Sequence, residues 1–182
     1  MIPAGYLAKT ISDRRDWPKA EGVADIYSVS GCISRPFADY VQFWKHNGYW
    51  FFDSPDVIEA LACDNGIDLS ASHLFYYEVH DKQYDEDEKA WREFAPEPSF
   101  PTNVAIPEVK QLEGFDVVSF SLQNSPECSP LSCNGLARII PVNRHCLLAT
   151  FEEAVTALEA GLFDHSEPGP FRVFTVYSVP RS

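Results

Sequence analysis

The chain has 182 residues, 45% of them hydrophobic and 14% aromatic, enough apolar matter for one full core or for two small halves that share one. Its 14 basic residues against 27 acidic ones give a formal charge of −13. This argues against nucleic-acid binding through a basic surface, because phosphate contacts need lysine and arginine, but permits a basic protein partner. No stretch approaches the roughly 20 apolar residues of a membrane span. No secretory signal is read before Lys9, Asp13, Arg14 and Arg15. The expectation is therefore a cytoplasmic protein without membrane contact, its 5 cysteines, an odd count, kept as thiols.

Residues 1–23, with Pro3, Gly5, Pro18 and Gly22 among mixed charges, read as an irregular lead-in. Residues 25–30 alternate as a strand, with Ile26 and Val29 as apolar members. Gly31 to Ser34 form a turn, and Ser34 caps a helix whose inward face is Phe37, Tyr40, Val41 and Trp44. Asn47-Gly48 stops it, and the apolar stretch 49–52 reads as a short buried strand. Ser54-Pro55 is an N-cap followed by proline at N1, and Val57, Ile58, Leu61 and Ala62 then form a stripe that ends at Asn65-Gly66. A strand over 74–79 follows. The acidic run 85–88 before Trp91 and Phe94 predicts a hairpin with a solvated tip. It lacks the alternating ligands, central glycine and distal glutamate of a calcium loop.

Four prolines in 95–107 mark a linker, taken as 95–112. Beyond it the outline recurs. A strand over 116–121, a loop to Ser132, a short helix over 133–140 and a strand over 145–149 lead to a capping box at Thr150 and Glu153. The stripe Phe151, Ala154, Val155 and Leu158 is then expected inside, and 171–179 is the closing strand. The expected fold is α+β: two similar β-α-β-α-β-like halves, 24–94 and 113–182, packed around a sheet-centred core. Internal duplication and chance likeness are both open readings.

Chemistry concentrates at 127–134, Glu-Cys-Ser-Pro-Leu-Ser-Cys-Asn. If Ser132 caps the helix that follows, Cys133 sits in its first turn. The helix dipole would stabilise its thiolate there, and His145 and Glu127 are the candidate base and orienter. The first half also carries a cysteine after its first strand. The candidate ligand-binding set is therefore Cys32, Cys128, Ser129, Ser132 and Asn134, in loops that suit a polar ligand. Cys128, Cys133, His145 and Cys146 lack the tight paired spacing of structural zinc, and neighbours on a strand point to opposite faces, so no metal is expected. No motif calls for a cofactor. The sequence is read as a binding or interaction protein, for a small polar ligand or a basic protein partner, in the manner of an inhibitor or immunity protein. The alternative is a small enzyme with Cys133 as nucleophile. The oligomeric state is left open.

Overall fold

In the computed structural model of the chain, residues 1–13, 20–30, 36–37, 47–98, 100–120 and 128–181 are described. The elements are β1 (Ile2–Thr10), β2 (Ser12–Asp13), β3 (Asp25–Ile26), α1 (Pro55–Asn65), β4 (Ser72–Val79), β5 (Lys82–Asp85), β6 (Ala90–Glu93), β7 (Gln111–Ser119), α2 (Pro130–Cys133), a 3-10 turn at Leu136–Arg138, α3 (Phe151–Glu159) and β8 (Phe171–Val179). Helices and an antiparallel sheet are mixed, the α+β class expected. Among the described residues, no helix is long and apolar enough to cross a membrane.

The main sheet runs β1-β4-β8-β7, antiparallel throughout, and β8 also pairs through Phe171 with Tyr84 to extend into the β5–β6 hairpin. The central strands β4 and β8 are apolar on both sides because both faces are covered. By register, Ala8, Leu74, Val117 and Val173 share one face. Ile58 and Ala62 of α1 and Ala154 and Leu158 of α3 pack there. The other face carries Leu7, Lys9, Phe75, Tyr77, Asp116 and Phe174. Connecting chain covers it: Tyr27 on Phe75, Phe51 on Tyr77 and Phe120 on Phe174.

The edge strands are closed in one manner. Tyr6 of β1 exchanges backbone hydrogen bonds with Phe52 at 2.8 and 3.0 Å, and Phe115 of β7 does so with Leu148, both at 2.9 Å. An asparagine ties down each bridging loop. Asn47 Nδ2 donates to Ala4 O, and its Oδ1 accepts from the amides of Tyr49 and Phe51. Asn143 Nδ2 donates to Glu113 O, and its Oδ1 accepts from His145 and Leu147. Each loop holds one non-glycine residue in the left-handed region, Trp50 and Cys146, both at φ 62°. Each passes so close to its strand that the strand needs a glycine. A Cβ on Gly5 (φ +129°) would lie 2.6 Å from Phe52 O, and one on Gly114 (φ +146°) 2.7 Å from Leu148 O. Helix caps follow both loops: Ser54 Oγ accepts from Val57 N, and Thr150 with Glu153 forms the expected capping box.

Several expectations change. The lead-in 1–23 contains β1, a full strand, because Tyr6, Leu7 and Ala8 bury side chains on both faces despite the punctuation of Pro3 and Gly5. Of 25–30 only Asp25–Ile26 pairs, and with β2, so the stretch placed like β7 is 5–10 and not 25–30. The stretches 49–52 and 145–149 make single bridges rather than strands. The helix over 133–140 is instead the four-residue α2, a left-handed Gly135 at φ 70° and a 3-10 turn. Val57 is 41% exposed, with Ile58 and Ala62 as the buried members of α1. The helix expected after Ser34 falls largely outside the described residues, though Phe37 is buried. The hairpin stands as expected, Lys82 to Asp85 pairing with Glu93 to Ala90 around the acidic tip. The proline-rich linker is strapped over the helix-bearing face: Tyr6 Oη donates to Ala105 O, and Asp53 accepts from the Thr102 hydroxyl and the Asn103 amide.

Candidate functional site

On the sheet face opposite α1 and α3, residues 28–30 and the segment that opens α2 meet across β1 and β7. Lys9 of β1 donates from Nζ to Ser28 O at 2.7 Å and to Ser30 O at 2.9 Å. Asp116 of β7 accepts at Oδ2 from Val29 N at 2.7 Å and from the Ser129 hydroxyl at 2.6 Å. Ser129 Oγ in turn accepts from Ser30 N, and the hydroxyls of Ser28 and Ser132 lie 2.5 Å apart. Lys9, Ser28, Ser30, Asp116, Ser129 and Ser132 are all buried. Each charged side chain thus hydrogen-bonds to the segment 28–30, and Asp116 to Ser129 as well, as burial in a low-dielectric seam demands.

Burial pushes the Asp116 carboxyl up to about 7, against the hydrogen bonds from Ser129 and Val29 and the Lys9 ammonium, which favour its charged form. Among the described residues, Asp116 Oδ1 has no hydrogen-bond partner. Removing the carboxylate from water costs more than Ser129, Val29 and Lys9 return, which is the physical reason for the raised value. Tyr77, wholly buried, is pushed up by burial and then by Asp116.

Each sequence candidate can now be placed. Cys133 is the last residue of α2, which Ser129 and Pro130 open. It is not in a helical first turn capped by Ser132, so the dipole argument for a low thiol pKa does not apply. Its Sγ lies 3.9 Å from Ser30 Oγ and 4.0 Å from Ser132 Oγ. Cys128 is buried beside its bridge to Ser119, with Sγ 4.0 Å from Asn134 Oδ1, and Asn134 is exposed toward Glu167. His145 sits on the Asn143 loop. Its Nδ1 is 2.5 Å from Asp25 Oδ1, its Nε2 is 3.5 Å from Glu113 Oε2, and its ring stacks on Tyr27 at 4.1 Å. The structure thus brings Ser129, Ser132 and Cys133 to the segment that precedes Cys32, and it engages His145 with two carboxylates. Cys32 and Glu127 lie outside the described residues. Among the described residues, no group of three or more His, Cys, Asp or Glu is placed to hold a metal ion.

Two surface grooves lie elsewhere, one of about 340 Å³ along α3 and one of about 230 Å³ between α1 and β4. Neither is lined by Ser132, Cys133 or Asn134.

Sequence reasoning missed Lys9, Ser28, Ser30 and Asp116 in the seam, and Asp25, Glu113 and Tyr27 around His145. A usable signal existed for two of them. Lys9 closes the apolar run Tyr6-Leu7-Ala8, and Asp116 stands between Phe115 and Val117, so each is a charge inside a strand with both faces buried. Comparison of the chain with protein-family models, with curated proteins and with solved structures finds no match.

Proposed function

We propose that the chain is a binding protein for a basic protein partner, built from two copies of one β-loop-α-β unit, 1–79 and 111–179. The observation that carries the binding reading is where the basic side chains go. Lys9 and Arg172 are wholly buried. Lys82, Lys89 and Lys110 pair with Glu93, Asp164 and Glu78, and Arg92 pairs with Asp85 and Glu88. Asp56, Glu59 and Asp64 on α1 and Glu152 on α3 stand exposed. Arg138, Arg144 and Arg181 remain exposed, so the described exterior carries both signs, and it is the formal charge of −13 that leaves it acidic on balance, which steers a basic partner and speeds its encounter. The duplication rests on the paired geometry of Gly5 and Gly114, Asn47 and Asn143, and Trp50 and Cys146, which a chance likeness of outline would not reproduce.

A second reading, a thiol enzyme at Cys133 or a small polar ligand held by Cys32, Cys128, Ser129, Ser132 and Asn134, is favoured by the approach of Cys133 to Ser30. The engagement of His145 by Asp25 and Glu113 supports the binding reading over the enzyme, because a base must be available to its nucleophile. Free Cys63 and Cys146 fit a reducing, cytoplasmic setting.

The test is native mass spectrometry of the protein taken from its own cells, together with thiol alkylation. A copurifying basic protein released by salt supports the reading, and a small-molecule adduct favours the polar ligand. Fast, selective alkylation of Cys133 near neutral pH, ahead of exposed Cys63, overturns it in favour of the enzyme.

A further inference from the structure

The groove along α3 has apolar walls from Ile140, Pro141, Leu148, Ala157 and Leu162, and among the described residues no lysine or arginine lines it. Leu162 is 45% exposed, and Ile139, next in the chain to the groove-lining Ile140, is 72% exposed. Apolar surface left open in this way is what a partner's apolar side chains cover, at about 25 cal/mol per Å².

Its rim is acidic. Glu152 and Glu153 open α3, and no basic residue stands in the last turn of that helix. Glu153 turns back to the amides of Ala149 and Thr150, so it is committed to the cap, while Glu152 is left facing solvent. The groove beside α1 differs. Arg181 lines it and donates to Leu69 O, so there the chain supplies its own cation.

We propose that the α3 groove docks an amphipathic segment of the basic partner, with its apolar residues seated between Ile140, Ala157 and Leu162 and its lysines or arginines toward Glu152. This rests on the acidic-binder reading and gives it a surface. An apolar stripe flanked by cations is the complement of an apolar floor with an acidic rim, and helix-in-groove recognition uses such a stripe.

The probe is a fluorescein-labelled helical peptide of leucine and lysine with leucines at i, i+3, i+4 and i+7, titrated with the full chain and followed by anisotropy. Leu162→Asp separates the contributions, because it removes an apolar wall and adds an acid at an exposed position. Docking in the groove predicts that Leu162→Asp and Ala160→Arg each weaken binding by about tenfold or more while Glu88→Gln at the hairpin tip does not. Circular dichroism melts confirm that the variants fold. Unchanged or tighter binding by Leu162→Asp overturns the groove and leaves the acidic-binder reading standing, as does a peptide that fails to bind while a basic protein copurifies. Failure of both the peptide and copurification overturns the two together.

Discussion

Asn143 is the most economical place to test how the fold closes its edge strands. Its amide makes three hydrogen bonds: Nδ2 to Glu113 O at 2.7 Å, and Oδ1 from His145 N at 2.9 Å and Leu147 N at 3.2 Å. Asn143→Ala removes all three and leaves their backbone partners to find water in a half-buried loop. At about 0.5–1.5 kcal/mol per bond the expected loss is about 2–4 kcal/mol. For a chain of this size that lowers Tm by about 5–15 °C. Asn143→Asp keeps the acceptor for both amides but turns the donor toward Glu113 O into a second oxygen. At neutral pH it should cost at least as much as alanine. Its folded-state pKa would be raised, so the loss should shrink as the pH falls and the new carboxyl takes up a proton that it can donate. Asn47→Ala, fully buried with the corresponding contacts, should cost as much or more. Urea melts followed by tryptophan fluorescence and far-ultraviolet circular dichroism measure all three. A loss below about 0.5 kcal/mol for Asn143→Ala, the scale of an ordinary surface change, would refute the claim that this side chain holds the loop to β7.

Leu158→Ala should cost about 2–5 kcal/mol in the same melts, because Leu158 is 1% exposed between α3 and the sheet, whereas Val57→Ala should stay within about 0.5 kcal/mol. Equal losses would show that the inward stripes are misplaced. Asp116 gives a pH prediction. Its carboxyl stands at about 7 when folded and at the usual value near 4 when unfolded, so the native state holds the extra proton in between. Its contribution is fully present below about 4 and is lost as pH rises through about 7, and Asp116→Asn should flatten the dependence across that window. A variant whose stability falls over this window as steeply as the parent's would rule Asp116 out as its source. Thiol titration should modify exposed Cys63 early and Cys146 last, since burial pushes the Cys146 thiol up to about 12. Early loss of Cys146 would place the Asn143 loop at the surface.

By itself the sequence determined what is local. Ser54-Pro55 and Thr150 with Glu153 announce α1 and α3, because capping is completed within four residues. Likewise the apolar runs of β4 and β8 and the hairpin around 85–88 follow from composition and turn chemistry over a few positions. What only the tertiary structure decided is non-local. β1 became a strand because β4 supplies its partner, although Pro3 and Gly5 punctuate it as loop. Gly5 and Gly114 look like breakers in sequence, yet each is needed where a loop from far along the chain presses on the backbone. The stretches 49–52 and 145–149 read as strands from their apolar content, but an asparagine holds each in a loop whose contacts lie across the sheet. The seam of Lys9, Asp116, Ser129 and Ser132 joins residues about a hundred positions apart. Local periodicity carries no information about such pairs, since only the register of β1, β4, β8 and β7 brings them to one face.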